Sequence, residues 1–340
     1  MTPTAAETVA AMEPGTRSAI DLPVADDLDV PVTLLRGHAE RPVGALVAGV
    51  HGDEVEGMAA LGDVARSLDP SGLAGSLVVV HAANPAGMRA GTRLHPPDDG
   101  NLNRAFPADA ATATGRLAAV LAGRLLAGLD ALLTLHSWSR TGEAVAYAEY
   151  PRGSSAVEVA SRALARALGT GYMEAYDWPP GLLPAEGVRR GVPSVEVEVG
   201  GLGRDTPEGR AAVARAVTGF LAHTGIDHRP AGHQPTGIEH RPAGDPPAGD
   251  PLAGDPPAGH GGEPVEVTRT TLTAPASGLV RHLAGLGARV QAGRPCAEVR
   301  SVRGEAEGKL APSRDGVVGI RFRFGWVERG TPVVAVFHPT

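Results

Sequence analysis

The sequence is poor in the features that mark several common classes of protein. Its 340 residues include a single cysteine, Cys296, so no disulfide can form within the chain and a cysteine-based zinc site is excluded. The net charge is -7 and no stretch is rich in lysine or arginine, so we expect no nucleic-acid partner and no membrane-surface partner. No uncharged apolar run reaches the roughly 18 residues of a membrane helix. With no secretory signal expected either, we predict a soluble, cytoplasmic protein.

Residues 223–264 are dominated by proline and glycine. The pentapeptide HRPAG occurs twice there, and units similar to GDPPAG follow it. Proline removes backbone donors and glycine raises the entropy cost of ordering, so this segment is interpreted as a disordered linker. Its irregularly spaced histidines are interpreted as solvated rather than metal-binding. The linker divides the chain into a predicted catalytic domain over 18–222 and a second domain over 265–340.

Before the linker, short apolar runs alternate with amphipathic helices. Residues 43–50 and 76–84 are rich in β-branched side chains and bounded by turn residues, which is typical of strands buried on both faces. This alternation predicts an α/β domain whose mostly parallel or mixed sheet is flanked by helices. Further strands are predicted at 130–136 and 193–199, and helices at 115–129, at 155–169 and from a cap at Thr206 to a stop near Gly225.

After the linker the pattern changes to short β segments separated by glycine, proline and aspartate turns. No helical stripe is evident there, so we predict a small all-β barrel or sandwich. The sequence APASGLV recurs as APSRDGVV, and ARVQAG recurs as WVERG. These echoes indicate two similar halves in a pseudo-symmetric β-fold.

His51 and Glu54 directly follow the first predicted strand and could both face one ion. Imidazole and carboxylate are suitable zinc ligands. The same spacing occurs in the linker at His260 and Glu263, but only the first pair lies where α/β sheets place ligands. His136 ends another predicted strand; alone it would more often be structural, but beside this pair we interpret it as the third ligand. Two histidines and one carboxylate leave a zinc position open for water, which is the catalytic pattern.

A hydrolytic zinc site also needs a general base that is close to the metal but not bound to it. Glu196 and Glu198 lie two apart in a predicted strand and therefore point to one face. An acidic side chain inside such a run costs free energy unless it is paired or used. We select Glu198, because it stands next to the Gly200–Gly201 turn, and keep Glu196 as the alternative.

The segment 84–107 is rich in turn residues and carries several arginines. Such arginines are usually exposed loop charges. Asn103 and Arg104, however, place a hydrogen-bonding amide beside a planar guanidinium, a pair well suited to a carboxylate. Arg93 is a candidate for stabilising the oxyanion that forms when water attacks an amide carbonyl.

Four motifs in one order carry a resemblance to a known family. They are HGDExxG after a strand, then NP…TR…NLNRAFP, then LTLHS, then EVGG. Over about residues 30–221 the chain resembles the succinylglutamate desuccinylase and aspartoacylase family, which shares the zinc-carboxypeptidase fold. The resemblance implies zinc ligands at His51, Glu54 and His136, a catalytic Glu198, a carbonyl-polarising Arg93, and substrate-binding Asn103 and Arg104.

The C-terminal β region is similar to the barrel found in many members of that family, which resembles biotinyl and lipoyl carrier domains. A carrier needs a lysine at the tip of a hairpin. Lys309 is the only lysine in the chain and is predicted on a strand, whereas the tip reads RSVRGE. We therefore predict a cap over the active site or an oligomer contact rather than a carrier. The long linker departs from the family and leaves the docking of this region open.

The sequence thus predicts a zinc-dependent amidohydrolase that binds one Zn²⁺ and a small N-acyl amino acid or related N-acyl amine. Two other interpretations stay open: a zinc carboxypeptidase acting on peptides, and a non-catalytic zinc-containing binding protein. A homo-oligomer is also open. Four aromatic residues are candidates for either the substrate pocket or the core: Tyr147, Tyr172, Tyr176 and Trp178.

Overall fold

The computed structural model describes residues 2–25, 28–227, 263–322 and 325–340. The strands that precede the predicted linker are β1 (Thr16–Ala25), β2 (Leu28–Arg36), β3 (Val43–Ala48), β4 (Ser76–Val80), β5 (Ala131–His136), β6 (Gly142–Pro151), β7 (Tyr172–Tyr176) and β8 (Ser194–Gly201). The helices are α1 (Ala5–Ala10), α2 (Val55–Ser67), α3 (Pro85–Ala90), α4 (Ala113–Val120), α5 (Ala156–Ala167), α6 (Leu183–Arg189) and α7 (Pro207–Thr224).

The region after the linker is all β among its described residues, as predicted. Its strands are β9 (Val265–Thr273), β10 (Gly278–His282), β11 (Arg289–Val290), β12 (Ala297–Arg300), β13 (Ala306–Leu310), β14 (Gly316–Phe322), β15 (Trp326–Val327) and β16 (Pro332–Pro339).

The predicted elements before the linker are all present, and local sequence explains their ends. The four predicted strands are β3, β4, β5 and β8. Helix α5 begins with a capping box formed by Ser155 and Glu158. Helix α7 has Thr206 at its cap and Pro207 in its first turn, and it ends at Gly225, whose φ of +70° suits glycine. The predicted helix 115–129 is α4 continued by a π-helical turn over Leu121–Leu125.

The main sheet has twelve strands among the described residues, in the order β1-β2-β4-β3-β5-β8-β6-β7-β9-β16-β14-β11. Strands β4, β3, β5 and β8 run parallel to one another, whereas β1, β2 and β6 pair antiparallel to their neighbours on the inner side. The sheet is therefore mixed. The carboxyl ends of β3, β5 and β8 meet at one edge, where α/β sheets place their ligands.

Helices cover both faces of the central strands. On one face, Leu46 and Leu133 of the sheet belong to a buried cluster with residues of α2, α5 and α7, such as Phe220. On the other face, Val47 and Leu132 belong to a cluster with residues of α1 and α4. Each fully buried Leu or Val side chain contributes about 1.5–3 kcal/mol relative to an exposed one. Burial on both faces accounts for the continuous apolar runs of these strands.

The C-terminal region is docked onto the catalytic region by strand pairing. Strand β9 pairs in parallel with β7, and β14 pairs antiparallel with β6, so this region continues the main sheet. Its other strands form a smaller sheet in the order β13-β12-β10-β15. The predicted barrel or sandwich is thus present as a β-rich region, but part of it belongs to the large sheet. Lys309 lies on β13, as predicted.

The boundaries of the predicted catalytic domain need adjustment. Val9 of α1 is fully buried, so the ordered region begins before residue 18. At the other end α7 continues through Thr224, and Ile226 is also fully buried. Most of the predicted linker, residues 228–262, lies outside the described residues. Among the helices that the structure describes, none combines the length and the apolar character needed to cross a membrane.

Candidate active site

The three candidate metal ligands come from neighbouring parts of one sheet edge. His51 lies just after β3, Glu54 stands at the start of α2, and His136 is the last residue of β5. Their ligand atoms all lie within 4.8 Å of one another. His51 and Glu54 are 3% exposed and His136 is 1% exposed. Such a buried, convergent set is a candidate metal centre, because buried charges must be paired or coordinate an ion.

The carboxylate of Glu54 lies between the two imidazoles. His51 Nδ1 is 2.8 Å from Glu54 Oε1, and His136 Nδ1 is 2.9 Å from Glu54 Oε2. The contact of His51 Nδ1 lacks hydrogen-bond geometry, which leaves this buried nitrogen without a hydrogen-bond partner. A nitrogen that faces a carboxylate without bonding to it is suitably placed to coordinate a cation. The donor set of two nitrogens and one carboxylate is one that hydrolytic zinc sites use.

The outer nitrogen of each histidine has a polar neighbour. His51 Nε2 lies 3.1 Å from Asn101 Oδ1, and His136 Nε2 lies 3.3 Å from Glu196 Oε2. The Asn101 oxygen can accept the Nε2 proton of His51 and so leave His51 Nδ1 to an ion. The contact of His136 Nε2 with Glu196 is one of charge, since this nitrogen has no hydrogen-bond partner among the described residues. The sequence analysis missed Asn101, although it belongs to the same NLNR motif as Asn103.

Without a metal, the site is held together by charge. Burial favours the neutral form of Glu54, but His51 and His136 outweigh it and hold the pKa of this carboxyl well below its usual value. Burial likewise opposes the charged form of His136, but Glu196 and Glu54 raise its pKa to about 10. His136 therefore carries a proton that a metal ion would have to displace.

Arg93 lies at the mouth of this centre. Its Nη1 is 2.7 Å from Glu54 Oε1 and donates a hydrogen bond of 2.8 Å to Ser139 Oγ. Ser139 also approaches Asp53 Oδ1 at 3.1 Å and has a positive φ of 39°. The Arg93 side chain is 43% exposed, so part of its guanidinium remains available to a ligand. Ser139 and Asp53 were not singled out from the sequence.

Asn103 and Arg104 are placed differently from each other. Asn103 is buried, and its amide oxygen accepts a hydrogen bond from the backbone N–H of Leu183 at 3.0 Å. Its amide nitrogen donates to Glu196 Oε2 at 3.3 Å. Arg104 is exposed and donates to the backbone oxygen of Asn103 at 2.6 Å. Among the described residues no carboxylate pairs with Arg104, whereas both ends of the Asn103 amide are engaged.

Glu198 lies on β8 directly beside His136 of β5. Its Oε2 is buried and has no hydrogen-bond partner among the described residues. Burial, together with the nearby Glu54 and Glu196, raises the pKa of Glu198 well above its usual value, although His136 opposes the shift. A buried carboxyl group beside the candidate metal centre is a candidate general acid and base.

A cavity of about 570 Å³ lies away from these residues. Its lining includes Glu56, Tyr172, Gly201, Thr206 and Leu286. Tyr172 was predicted to lie in the substrate pocket or the core, but none of the predicted metal-binding, catalytic or substrate-binding residues lines this cavity. Glu56 is buried and accepts hydrogen bonds from Gly201 N at 2.8 Å and Thr206 Oγ1 at 2.6 Å. Its carboxylate thus caps the start of α7, which is a structural role.

The fold and the site together define an α/β protein with a candidate His/Glu/His metal centre and a buried glutamate beside it. The chain belongs to the succinylglutamate desuccinylase/aspartoacylase family, whose catalytic domain matches residues 41–224. This match confirms the resemblance found in the sequence. The family name is that of enzymes that remove acyl groups from amino acids, and it supports an amidohydrolase.

Comparisons with individual proteins are consistent with membership of this family. The N-alpha-acetyl-L-2,4-diaminobutyric acid deacetylase of Halomonas elongata is 34% identical over 219 residues, which is 61% of this chain and 63% of that protein. The match therefore spans less than two thirds of the relative. The product-bound ectoine utilization protein EutE (DoeB) from Ruegeria pomeroyi is 25% identical, with a TM-score of 0.79 over 96% of both chains. A succinylglutamate desuccinylase/aspartoacylase from Rhodobacter sphaeroides, 24% identical, shares the fold, with a TM-score of 0.78 over 95% of this chain and 96% of that one.

Proposed function

We propose that the protein is a zinc-dependent deacylase that hydrolyses the amide bond of a small N-acyl amino acid or related N-acyl amine. The observation that carries this proposal is the convergence of His51, Glu54 and His136 at one sheet edge, with Glu198 beside His136. The printed name of the Halomonas relative, a deacetylase of an N-acetyl amino acid, supports the same reaction class. The single cysteine fits a cytoplasmic location.

The donor set fits zinc. His51 Nδ1, His136 Nδ1 and the Glu54 carboxylate would hold the ion, and three protein ligands leave a coordination position open. When bound, zinc polarises an acyl carbonyl and lowers the pKa of water. Asn101 would keep the imidazole of His51 oriented through its Nε2 atom, and the Glu196 carboxylate, 3.3 Å from His136 Nε2, would act on His136 by charge.

The chain's own groups account for the proton transfers. Glu198 would take a proton from the attacking water as its oxygen adds to the acyl carbon, and would return that proton to the nitrogen as the carbon–nitrogen bond breaks. The products are a carboxylate and a free amine. A raised pKa suits Glu198 to both steps, because the group must accept and then release the proton.

The two arginines would interact with negative charge on the substrate. Arg93, half-exposed beside Glu54, would stabilise the negative charge that develops on the acyl oxygen. Arg104, an exposed residue, would pair with the substrate carboxylate. Asn103 would line the site next to it.

The test combines metal analysis with an amine-release assay. The panel contains N-acetyl amino acids, N-acetyl-2,4-diaminobutyric acid among them, with N-succinyl and N-formyl amino acids and short peptides. We expect roughly one zinc per chain in the wild type and in Glu198→Gln, with activity only in the wild type. Glu196→Gln separates the two candidate bases, since a fully active Glu198→Gln would transfer the role of base to Glu196.

Other results would contradict the proposal. A protein that binds no zinc refutes the metal assignment. Release of amine from peptides alone identifies a carboxypeptidase instead. A zinc-loaded protein that is inert across the whole panel indicates a binding protein.

A further inference from the structure

Beyond Glu198, polar side chains continue across one face of the main sheet towards the C-terminal region. On β6, Tyr147 stands opposite Glu198 and Glu149 stands opposite Glu196. On β7, Glu174 is the neighbour of Glu149. Residues directly opposite one another point to the same face. With an arginine from β9 these side chains form what we call the polar stripe: Tyr147, Glu149, Glu174, Glu196, Glu198 and Arg269.

Arg269 is the cation of this stripe, and its guanidinium contacts three of the other members. It lies 3.3 Å from Glu149 Oε1 and 3.4 Å from Glu174 Oε2, and it donates a hydrogen bond of 3.2 Å to the hydroxyl of Tyr147. The guanidinium carbon is also 5.2 Å from the centroid of the Tyr176 ring. The side chain is 15% exposed. Within the described residues, no other lysine or arginine forms an ion pair with Glu149 or Glu174.

The first consequence concerns His136. Two carboxylates directly opposite each other, such as Glu149 and Glu196, repel one another. Arg269 draws Glu149 to itself, which leaves Glu196 directed at His136 Nε2 and at the amide of Asn103. Glu149 and Glu196 thus link the charge beside a candidate metal ligand to an arginine on β9.

The second consequence concerns Glu198. Tyr147 is fully buried and stands beside Glu198 in the neighbouring strand. Arg269 holds its hydroxyl, and Phe337 of β16 packs edge-on against its ring at a centroid distance of 5.1 Å. These two contacts of Tyr147 come from the C-terminal region.

We infer that Arg269 is a positioning residue for the sheet edge that carries His136 and Glu198. It holds Tyr147 beside Glu198, and it holds Glu149 away from Glu196. The inference rests on the proposed function. It makes the C-terminal region part of the active-site support rather than a detachable cap. The role suits arginine, because three different nitrogens of its rigid planar fork reach Tyr147, Glu149 and Glu174, whereas lysine would present one compact ammonium nitrogen.

The experiment measures kcat, KM and zinc affinity for Arg269→Met and Arg269→Lys. Groups that support a metal ligand typically change activity or metal affinity by 10–100-fold. We therefore expect kcat to fall about 10–100-fold in Arg269→Met with KM changed less than about threefold, and zinc affinity to fall about tenfold. Arg269→Lys should give an intermediate loss.

The matched control is Arg162→Met. Arg162 of α5 forms an ion pair of 2.6 Å with Glu266. Glu266 lies on β9, as Arg269 does, but outside the polar stripe. Losing this pair also removes a link between the two regions. We expect kcat and zinc affinity within about twofold of the wild type, because exposed ion pairs contribute little. If Arg162→Met loses as much as Arg269→Met, the effect belongs to docking in general and the inference is overturned.

Two further variants separate positioning from folding. Arg269→Met leaves carboxylates buried without their cation and could fail to fold. The double variant Arg269→Met/Glu174→Gln removes one of those charges and should regain thermal stability while kcat stays low, because the Tyr147 hydroxyl still lacks the hydrogen bond from Arg269. Tyr147→Phe deletes only the hydroxyl, and its kcat should fall about fivefold or more. If the double variant regains kcat together with stability, or if Tyr147→Phe keeps the wild-type kcat, Arg269 is a structural residue only.

The zinc titration keeps this inference distinct from the proposed function, because it needs no substrate. A wild type that releases no amine from any N-acyl amino acid refutes the proposed function. The difference in zinc affinity between the wild type and Arg269→Met still decides whether Arg269 supports His136.

Discussion

One face of the main sheet is built in two different ways. A single row of neighbouring residues crosses it: Val80, Val47 and Thr134 on β4, β3 and β5, then Glu196, Glu149 and Glu174 on β8, β6 and β7. All of them are buried. The valines stabilise the fold through the apolar area removed from water, about 25 cal/mol per Å². The glutamates cost free energy unless a cation or a proton compensates them. The first half of the face thus stabilises the fold, whereas the second half needs compensating charges or protons and lies beside the candidate active site.

The largest effect should come from removing the carboxylate of Glu54, which contacts both candidate histidine ligands and Arg93. Glu54→Gln keeps the size of the side chain but deletes the charge shared by His51, His136 and Arg93. We expect zinc affinity to fall more than about 100-fold, the upper end for groups that merely support a ligand, and activity to fall below detection. Chelator competition and the amine-release assay measure both. Retention of zinc at wild-type affinity would place the metal elsewhere.

The apolar half should show the opposite behaviour. Leu34 of β2 is fully buried and stands opposite Val78 on the same face. Leu34→Ala should lower the free energy of unfolding by about 2–5 kcal/mol and leave kcat within about twofold of the wild type. Urea unfolding and steady-state kinetics measure the two quantities. A large loss of kcat without a loss of stability would remove the distinction between the halves.

The contrast between the halves also explains how much could be predicted from the sequence. Strands β3, β4, β5 and β8 were predicted because burial on both faces gives continuous apolar runs. Strands β6 and β7 were missed because Tyr147, Glu149 and Glu174 interrupt their runs with polar residues that the structure nevertheless buries. Hydrophobic pattern cannot distinguish a buried, paired glutamate from an exposed one.

The candidate site shows the same limit. The convergence of His51, Glu54 and His136 followed from strand ends and spacing, which are local properties. Arg269 reaches Glu149 only because β9 pairs with β7, a contact between residues 120 positions apart in the chain. Long-range pairing of this kind leaves no local signal. Tyr147 was named from the sequence only as a candidate for the substrate pocket or the core, without its contact to Arg269.

The next effect concerns pH in the polar half. Burial, Glu196 and Glu174 raise the pKa of Glu149 to about 7 even though Arg269 opposes the shift. The folded protein therefore keeps a proton that the unfolded chain releases above its usual pKa near 4.5, so the contribution of Glu149 to stability falls as the pH rises between these two values. We expect the metal-free wild type to lose on the order of 1–3 kcal/mol between about pH 5 and pH 7.5, at 1.36 kcal/mol per pKa unit.

The variant Glu149→Gln tests this sign. It should be less sensitive to pH in that window and more stable than the wild type at the upper end, because no charge has to be buried. Glu174 and Glu198 also have raised pKa values, so the slope should decrease rather than disappear. Urea unfolding at several pH values measures it. A slope equal to that of the wild type would show that Glu149 is already ionised in the folded state at low pH.

The smallest effect should come from a solvent-exposed ion pair between the catalytic region and the C-terminal region. Arg162 is 51% exposed and Glu266 is 25% exposed in their pair, so water screens their attraction. Arg166, 3.8 Å from the same carboxylate, remains as a partner when Arg162 is replaced. Arg162→Met should lower the free energy of unfolding by about 0.2–1 kcal/mol, as exposed pairs do. Urea unfolding alongside Arg269→Met provides the comparison: similar losses would mean that burial does not set the importance of these arginines, whereas a clearly larger loss for Arg269 shows that the buried polar half depends on its cation.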